Sequence, residues 1–127
     1  MRRAGFTLLE AAVSLAIIGI VAIGALEAFA AESRAARQAR LATPAVAVAA
    51  EQLARLELLD ASRLTALPDS LRAGRMNDGG ESYEWRASVA RVAQEPDLFS
   101  LHVEVRWVAG SYALTTRAYR PMPAGSR

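Results

Sequence analysis

One segment near the amino terminus constrains this chain more than any other feature. From Phe6 to Ala31 the only charged residues are Glu10 and Glu27, and most of the others are apolar. A helix rises roughly 1.5 Å per residue, so this segment reaches about 39 Å, more than the ~30 Å hydrocarbon core of a bilayer. A chain of 127 residues has too little material to surround such a helix with protein on every side. We therefore predict that residues 6–31 span a membrane.

A secretory signal peptide is the alternative interpretation of the same segment. Ala28-Phe29-Ala30 has the small-x-small pattern of a cleavage site, which leaves open a soluble periplasmic binding domain released after Ala30. Glu10 argues against this, because the apolar part of a signal peptide rarely contains a carboxylate and a carboxylate inside a membrane is costly. Glu27 needs no special role, since it lies near the far end of the segment and can reach the headgroups.

Composition excludes several classes of function. The net charge of +2 comes from Arg2 and Arg3, because basic and acidic residues are equal in number in the rest of the chain, so nucleic-acid binding is not expected. The chain has no cysteine, and its one histidine, His102, lies on the polar side of a predicted strand. Asn77, Asp78 and Glu81 are too few for a calcium loop. We expect no enzymatic activity, no metal and no cofactor.

The rest of the chain divides into a helical part and a part rich in strands. Residues 32–72 are predicted to be mainly helical, with a bend near Pro44, because proline removes a backbone donor and crowds the preceding turn. An apolar stripe with helical spacing is predicted to pack on a sheet; it consists of Val46, Ala49, Leu53, Leu56 and Leu59.

Residues 73–127 are predicted to form a small antiparallel sheet and a flexible tail. The stretch LFSLHVEVRWV alternates apolar and polar residues, so that Phe99 to Trp107 presents one buried face and one wet face. Residues 82–92 and 111–120 are predicted as two further strands of an antiparallel meander. The turn-rich stretch LPDSLRAGRMNDGG is predicted to be a mobile link, and PMPAGSR the flexible tail.

The start of the chain resembles a known signal. Gly5-Phe6-Thr7-Leu8-Leu9-Glu10, after a short basic leader and before an apolar helix, is similar to the class III signal of type IV pilins and of the pseudopilins of type II secretion. This resemblance implies that prepilin peptidase removes residues 1–5 by cutting after Gly5 and methylates the new amino terminus at Phe6. It also implies that Glu10 meets the amino terminus of a neighbouring subunit during assembly.

The same resemblance implies an architecture and a location. The fold would be α+β and pilin-like, with a long membrane-spanning helix that continues into a helix packed on a small antiparallel sheet. The protein would be a single-pass protein of the bacterial inner membrane, with a cytoplasmic amino terminus and a periplasmic C-terminal domain. Charge alone does not decide this orientation, because Arg34, Arg37 and Arg40 follow the apolar segment just as Arg2 and Arg3 precede it.

A second, weaker resemblance concerns the type of subunit. The segment from Ala49 to Leu56 is similar to an Ala-Glu-x-Gln-Leu-Ala-Glu-Leu-like stretch of I-type minor pseudopilins, although one residue is missing before Gln52 and Arg55 replaces an acidic residue. This resemblance implies a pseudopilus tip complex with J-type, K-type and H-type subunits, built on an inner-membrane assembly platform and serving the export of folded proteins. A minor type IV pilin for adhesion, motility or DNA uptake remains the alternative.

Overall fold

The computed structural model describes residues 7–125, and the first predicted boundary, between the leader and Phe6, lies outside this range. The chain divides into two compact units, Met1–Arg37 and Gln38–Arg127. The longest element, α1, runs from Leu8 to Glu57 and contributes to both units.

The first unit consists, in its described part, of the beginning of α1. An 18-residue window of this helix has a mean hydropathy of 2.3, and none of that window is buried by protein. The large apolar side chains from Leu8 to Phe29 are exposed. A soluble core helix would bury such side chains, so this surface fits contact with lipid or with other apolar helices.

The second unit contains the end of α1 and a four-stranded antiparallel sheet with the strand order β1-β2-β3-β4. The strands are β1 (Ala73–Asp78), β2 (Glu81–Val92), β3 (Glu95–Trp107) and β4 (Gly110–Tyr119). Between α1 and the sheet lie a short helix α2 (Ala61–Thr65) and a 3-10 turn (Asp69–Leu71). The predicted α+β, pilin-like architecture is confirmed.

The three predicted strands correspond to β2, β3 and β4. The alternation predicted in β3 is present, since Phe99, Leu101, Val103 and Val105 are buried. Trp107, at the end of this strand, is only partly buried against the core. The register pairs Leu101 with Val89 on one side and with Thr116 on the other, so the buried faces of neighbouring strands coincide.

The prediction of a mobile link before β2 is wrong for its second half, because β1 lies there. Gly79 and Gly80 have φ values of 57° and 82°, which suits the tight two-residue turn that joins β1 to β2. Gly74 faces the indole ring of Trp85, and a Cβ at this position would come within 2.6 Å of the ring. The glycines that look like loop residues in the sequence thus form a hairpin turn and a close contact between the backbone and the Trp85 ring.

The helical segment 32–72 contains three elements rather than one. Helix α1 continues through Pro44 without a break and ends at Glu57, so the bend near Pro44 stays a prediction. A new helix then begins because Asp60 accepts a hydrogen bond from the backbone N–H of Arg63 at 2.8 Å. This bond and one from Ser62 hold the pKa of Asp60 below its usual range.

The face of α1 that packs on the sheet differs from the predicted stripe. Val46 is exposed, and Leu53 and Leu59 are only partly buried. The buried positions recur at intervals of three and four, as expected for a single helix face; they are Ala45, Val48, Ala49, Gln52 and Leu56. Two alanines on this face have no bulk beyond Cβ, so helix and sheet can approach closely.

Two side chains, one in β2 and one directly after β4, bind backbone carbonyls of α1 and of the loop after it. The hydroxyl of Tyr83 donates to the carbonyl of Leu41 at 2.8 Å, and burial raises the pKa of this phenol, so the donor proton is retained. The guanidinium of Arg120 donates to the carbonyls of Glu57 and Leu59. At Glu57, the last residue of α1, Arg120 thereby satisfies a carbonyl that the helix end leaves without a partner.

The tail after β4 is partly ordered by contacts. The side chain of Met122 packs against the core, and its backbone N–H donates to a carboxylate oxygen of Asp97 at 3.3 Å. At least this residue of the predicted flexible tail therefore contributes to the second unit.

Gln52 offers a test of the core. Its side chain is only 7% exposed, and its Oε1 is a buried atom with no hydrogen-bond partner among residues 7–125. We expect Gln52→Leu to raise the free energy of unfolding by about 1 to 3 kcal/mol, because it removes an unsatisfied buried acceptor. Urea unfolding followed by tryptophan fluorescence measures this change, with the exposed Gln38→Leu as the control. A loss of stability in Gln52→Leu would contradict it.

Candidate assembly segment

The candidate functional residues at the amino terminus lie at the beginning of α1. Thr7 is the residue before the first helical residue, Leu8. Its carbonyl accepts the backbone N–H of Ala11 at 3.1 Å, and its hydroxyl oxygen accepts the backbone N–H of Glu10 at 3.2 Å. Both bonds are those of an N-cap residue. Thr7-Leu8-Leu9-Glu10 therefore has the sequence and half of the bonding of a capping box.

Glu10 occupies the first turn of α1 with an exposed side chain. A negative charge in this position interacts favourably with the positive end of the helix dipole. Within residues 7–125, no hydrogen bond or ion pair engages its carboxylate, so the group is available to a partner. Gly5 and Phe6, the predicted cleavage and methylation site, lie outside the described residues.

Thr7 is the residue of this segment that the sequence analysis did not single out. The signal was present, because threonine followed three residues later by glutamate and then by an apolar run is the sequence pattern of a helix N-terminus. In the structure, this threonine fixes where the helix begins and therefore places Glu10 in the first turn.

The other candidate residues have ordinary structural roles. Nδ1 of His102 lies 2.8 Å from the hydroxyl of its cross-strand neighbour Thr115. Asn77 and Asp78 end β1, and the carboxylate of Glu81 accepts the backbone N–H of Val108 at 3.3 Å. Across residues 7–125, no group of three or more histidine, cysteine or acidic residues is placed to hold a metal ion.

Comparison with protein families identifies this segment. Residues 1–26 match the family model described as the prokaryotic N-terminal methylation motif. The chain carries the methylation motif of type IV pilin-like proteins. The matched residues include the Thr7 cap and Glu10. No curated protein and no solved structure matches the chain.

The cap within the methylation motif leads to a testable prediction. We expect Thr7→Ala to destabilise the first turn of α1 by about 1 kcal/mol, because the N–H of Glu10 loses its acceptor, whereas Thr7→Ser retains it. Amide hydrogen exchange of the full chain in detergent should show faster exchange at Glu10 in Thr7→Ala only. Equal protection in both variants would show that the hydroxyl does not cap the helix.

Proposed function

We propose that this protein is a minor pseudopilin of a type II secretion system, of the I-type, which helps to build the pseudopilus tip complex for export of folded proteins. The observation that carries the proposal is the methylation motif at residues 1–26 on a helix whose apolar surface is exposed. A small unit with a four-stranded antiparallel sheet follows that helix, as expected for a pilin-like subunit.

In this proposal, prepilin peptidase cuts after Gly5 and methylates Phe6. The new amino group would then lie one residue before the Thr7 cap, at the positive end of the helix dipole. A positive charge is unfavourable there, and a carboxylate from a neighbouring subunit would compensate it. The carboxylate of the neighbour's Glu10 is suited to this, because no ion pair within residues 7–125 of its own chain engages it.

We also propose a location and partners for the protein. The protein would lie in the bacterial inner membrane with a single span, a cytoplasmic amino terminus and a periplasmic domain. The J-type, K-type and H-type subunits would be its partners in the tip, and the inner-membrane assembly platform would receive it. The exposed apolar side chains of α1 support the membrane span and contacts with the apolar helices of such partners.

The processed amino terminus provides the first test. We expect mass spectrometry of the membrane fraction to find a mature chain that begins with N-methylated Phe6. A functional chain that begins at Met1 would contradict cleavage by prepilin peptidase. A chain that begins at Ala31 would instead indicate a released periplasmic domain.

A deletion strain then separates the two filament systems. If the protein is a minor pseudopilin, its loss should leave exported proteins folded in the periplasm while surface pili persist. Normal export with a loss of adhesion, motility or DNA uptake would instead identify a minor type IV pilin. Re-expression of the full chain is the control for both readouts.

A further inference from the structure

A pocket in the second unit has no role in the features described so far. It lies between α2, the end of β2 and the chain after β4, and its volume is about 340 Å³. Its lining consists of Ala61, Ser62, Thr65, Arg91, Met122 and Pro123. Ligand pockets typically have volumes of ~300–1,000 Å³, so this one fits one or two side chains rather than a cofactor.

The wall of this pocket is mostly apolar. Ala61 is buried, and the side chain of Met122 packs against the core of the unit. The unbranched side chain of methionine adapts its shape to an incoming group. The interior of the pocket therefore favours an apolar group.

Arg91 is the one charged residue of this lining, and two contacts hold its guanidinium in place. Its Nη2 donates to the hydroxyl oxygen of Thr65 at 2.9 Å, and its Cζ lies 5.5 Å from the centroid of the Phe99 ring. Phe99 is fully buried, so its ring offers a fixed face to the cation. Because both contacts already restrict the side chain of Arg91, it loses little conformational entropy when a partner binds.

Thr65 determines the direction of the bond from Arg91. Its hydroxyl donates to the carbonyl of Ala61 at 2.8 Å, within α2. A hydroxyl has a single proton, so its oxygen is left to act as an acceptor for the guanidinium. Thr65 is therefore a positioning residue for Arg91.

The charge of Arg91 is not matched by an acidic residue. No ion pair within residues 7–125 engages it. Asp60, which contacts the pocket residue Ser62, accepts hydrogen bonds from the Ser62 hydroxyl at 2.7 Å and from the backbone N–H of Arg63 at 2.8 Å. The N–H groups of Arg91 that do not reach Thr65 are thus available to a carboxylate, which the planar guanidinium binds with good geometry.

We propose that this pocket binds a segment of a different tip subunit in which an acidic residue lies next to an apolar one. The apolar side chain would enter between Ala61 and Met122, and the carboxylate would pair with Arg91. That the partner is another type of subunit rests on the proposed function. A pocket of this size buries too little surface to hold a small molecule tightly, whereas a subunit adds contacts around the pocket.

A small probe tests the chemistry of the pocket on the full chain in an uncharged detergent. N-acetyl-leucine carries an apolar side chain beside a carboxylate, and N-acetyl-leucinamide is its uncharged counterpart. We expect N-acetyl-leucine to shift the NMR signals of Ala61, Thr65 and the Arg91 side chain. It should bind about tenfold more tightly than the amide, because hydrogen bonds to a charged acceptor are stronger. Equal binding of the two probes would overturn the proposal.

Substitution of the guanidinium separates its charge from its structural contacts. Arg91→Gln should weaken the binding of N-acetyl-leucine about tenfold, whereas Arg91→Lys keeps the charge and should bind more tightly than Arg91→Gln. Arg86→Gln is the matched control, because Arg86 is an exposed arginine of the same strand that does not line the pocket. Unchanged binding in Arg91→Gln would contradict the assignment of the site.

The positioning role of Thr65 has its own test. Thr65→Val keeps the shape of the side chain but removes the acceptor, so N-acetyl-leucine should bind several-fold more weakly. Thr65→Ser retains the hydroxyl and should restore binding, which a role in packing alone would not do. Equal binding by the valine and serine variants would show that Thr65 does not position Arg91.

Photocrosslinking in membranes tests the occupant. The chain has no native cysteine, so Ser62→Cys gives a single attachment point for benzophenone maleimide at the pocket. We expect adducts with a J-type or K-type subunit through a peptide that contains an acidic residue beside an apolar one. Adding Arg91→Gln should remove most of these adducts. Ser88→Cys, which is exposed on the same strand as Arg91 but does not line the pocket, is the control and should give few.

The outcomes distinguish failure of the pocket from failure of the proposed function. Adducts with a second copy of the chain, adducts that persist in Arg91→Gln, or selective probe binding without any adduct would overturn a tip subunit as the occupant. Mass spectrometry of the same membranes reads the amino terminus. A chain that begins at Phe6 but binds both probes equally overturns the pocket alone. A chain that begins at Met1 or Ala31 overturns the proposed function, and selective binding of N-acetyl-leucine by that chain still supports the carboxylate site.

Discussion

Replacing Glu10 by glutamine is expected to weaken association with partner subunits by about 2 to 5 kcal/mol, which is roughly 30-fold or more. The variant keeps the size of the side chain but removes the charge that would meet a neighbour's amino group in a low-dielectric setting. Membrane insertion should not suffer, because neutral residues insert more readily than carboxylates. Processing after Gly5 should also continue.

Co-purification of the full chain with candidate J-type and K-type partners from detergent measures this effect. Glu27→Gln is the matched control, because it removes a carboxylate from the same helix at a position where no partner is expected. Mass spectrometry confirms that each variant is processed. Unchanged co-purification and secretion in Glu10→Gln would show that this carboxylate does not determine assembly.

Truncating Leu56 to alanine is expected to lower the free energy of unfolding by about 2 to 5 kcal/mol. Its side chain is 1% exposed on the face of α1 that packs on the sheet, so truncation leaves a cavity between two rigid elements. Leu53→Ala should cost less than about 2 kcal/mol, because Leu53 is only partly buried and solvent can occupy part of the space.

Urea unfolding of the full chain in detergent, followed by the fluorescence of Trp85 and Trp107, measures both changes. The control is Leu58→Ala, since Leu58 is adjacent in sequence to this helix end but 87% exposed, and a change within about 0.5 kcal/mol is expected. Equal losses for Leu53 and Leu56 would contradict the helix face that the structure shows.

The strands were predictable wherever burial of one face requires apolar and polar residues to alternate. In β3 every second residue from Phe99 to Val105 is apolar, and no other regular structure places such residues on one side. β1 was not predictable in this way, because Ala73–Asp78 has no alternating apolar residues and its position depends on pairing with β2. Gly74 is explained only by the ring of Trp85, a residue that lies eleven positions later.

The helix face shows a similar limit. Spacing alone predicted an amphipathic helix. In a sequence rich in alanine, however, several faces of the helix carry small or apolar residues, so spacing did not specify which face is buried. The buried face is the one with Ala45 and Ala49, whose small side chains allow the helix to approach the sheet, whereas Val46 is exposed. The carbonyl contacts of Tyr83 and Arg120 were equally unpredictable, because each joins residues more than forty positions apart.

By itself, the sequence determined the features that depend on neighbouring residues and on solvent: the long apolar segment, the methylation motif in residues 1–26, the position of Glu10 and the alternation of β3. These follow from local spacing and from the cost of placing charge in lipid. Only the tertiary structure decided which side of α1 is buried, that β1 is a strand and that β4 remains an open edge. The physical reason is that burial and strand pairing are properties of two surfaces in contact, and one stretch of sequence specifies only one of them.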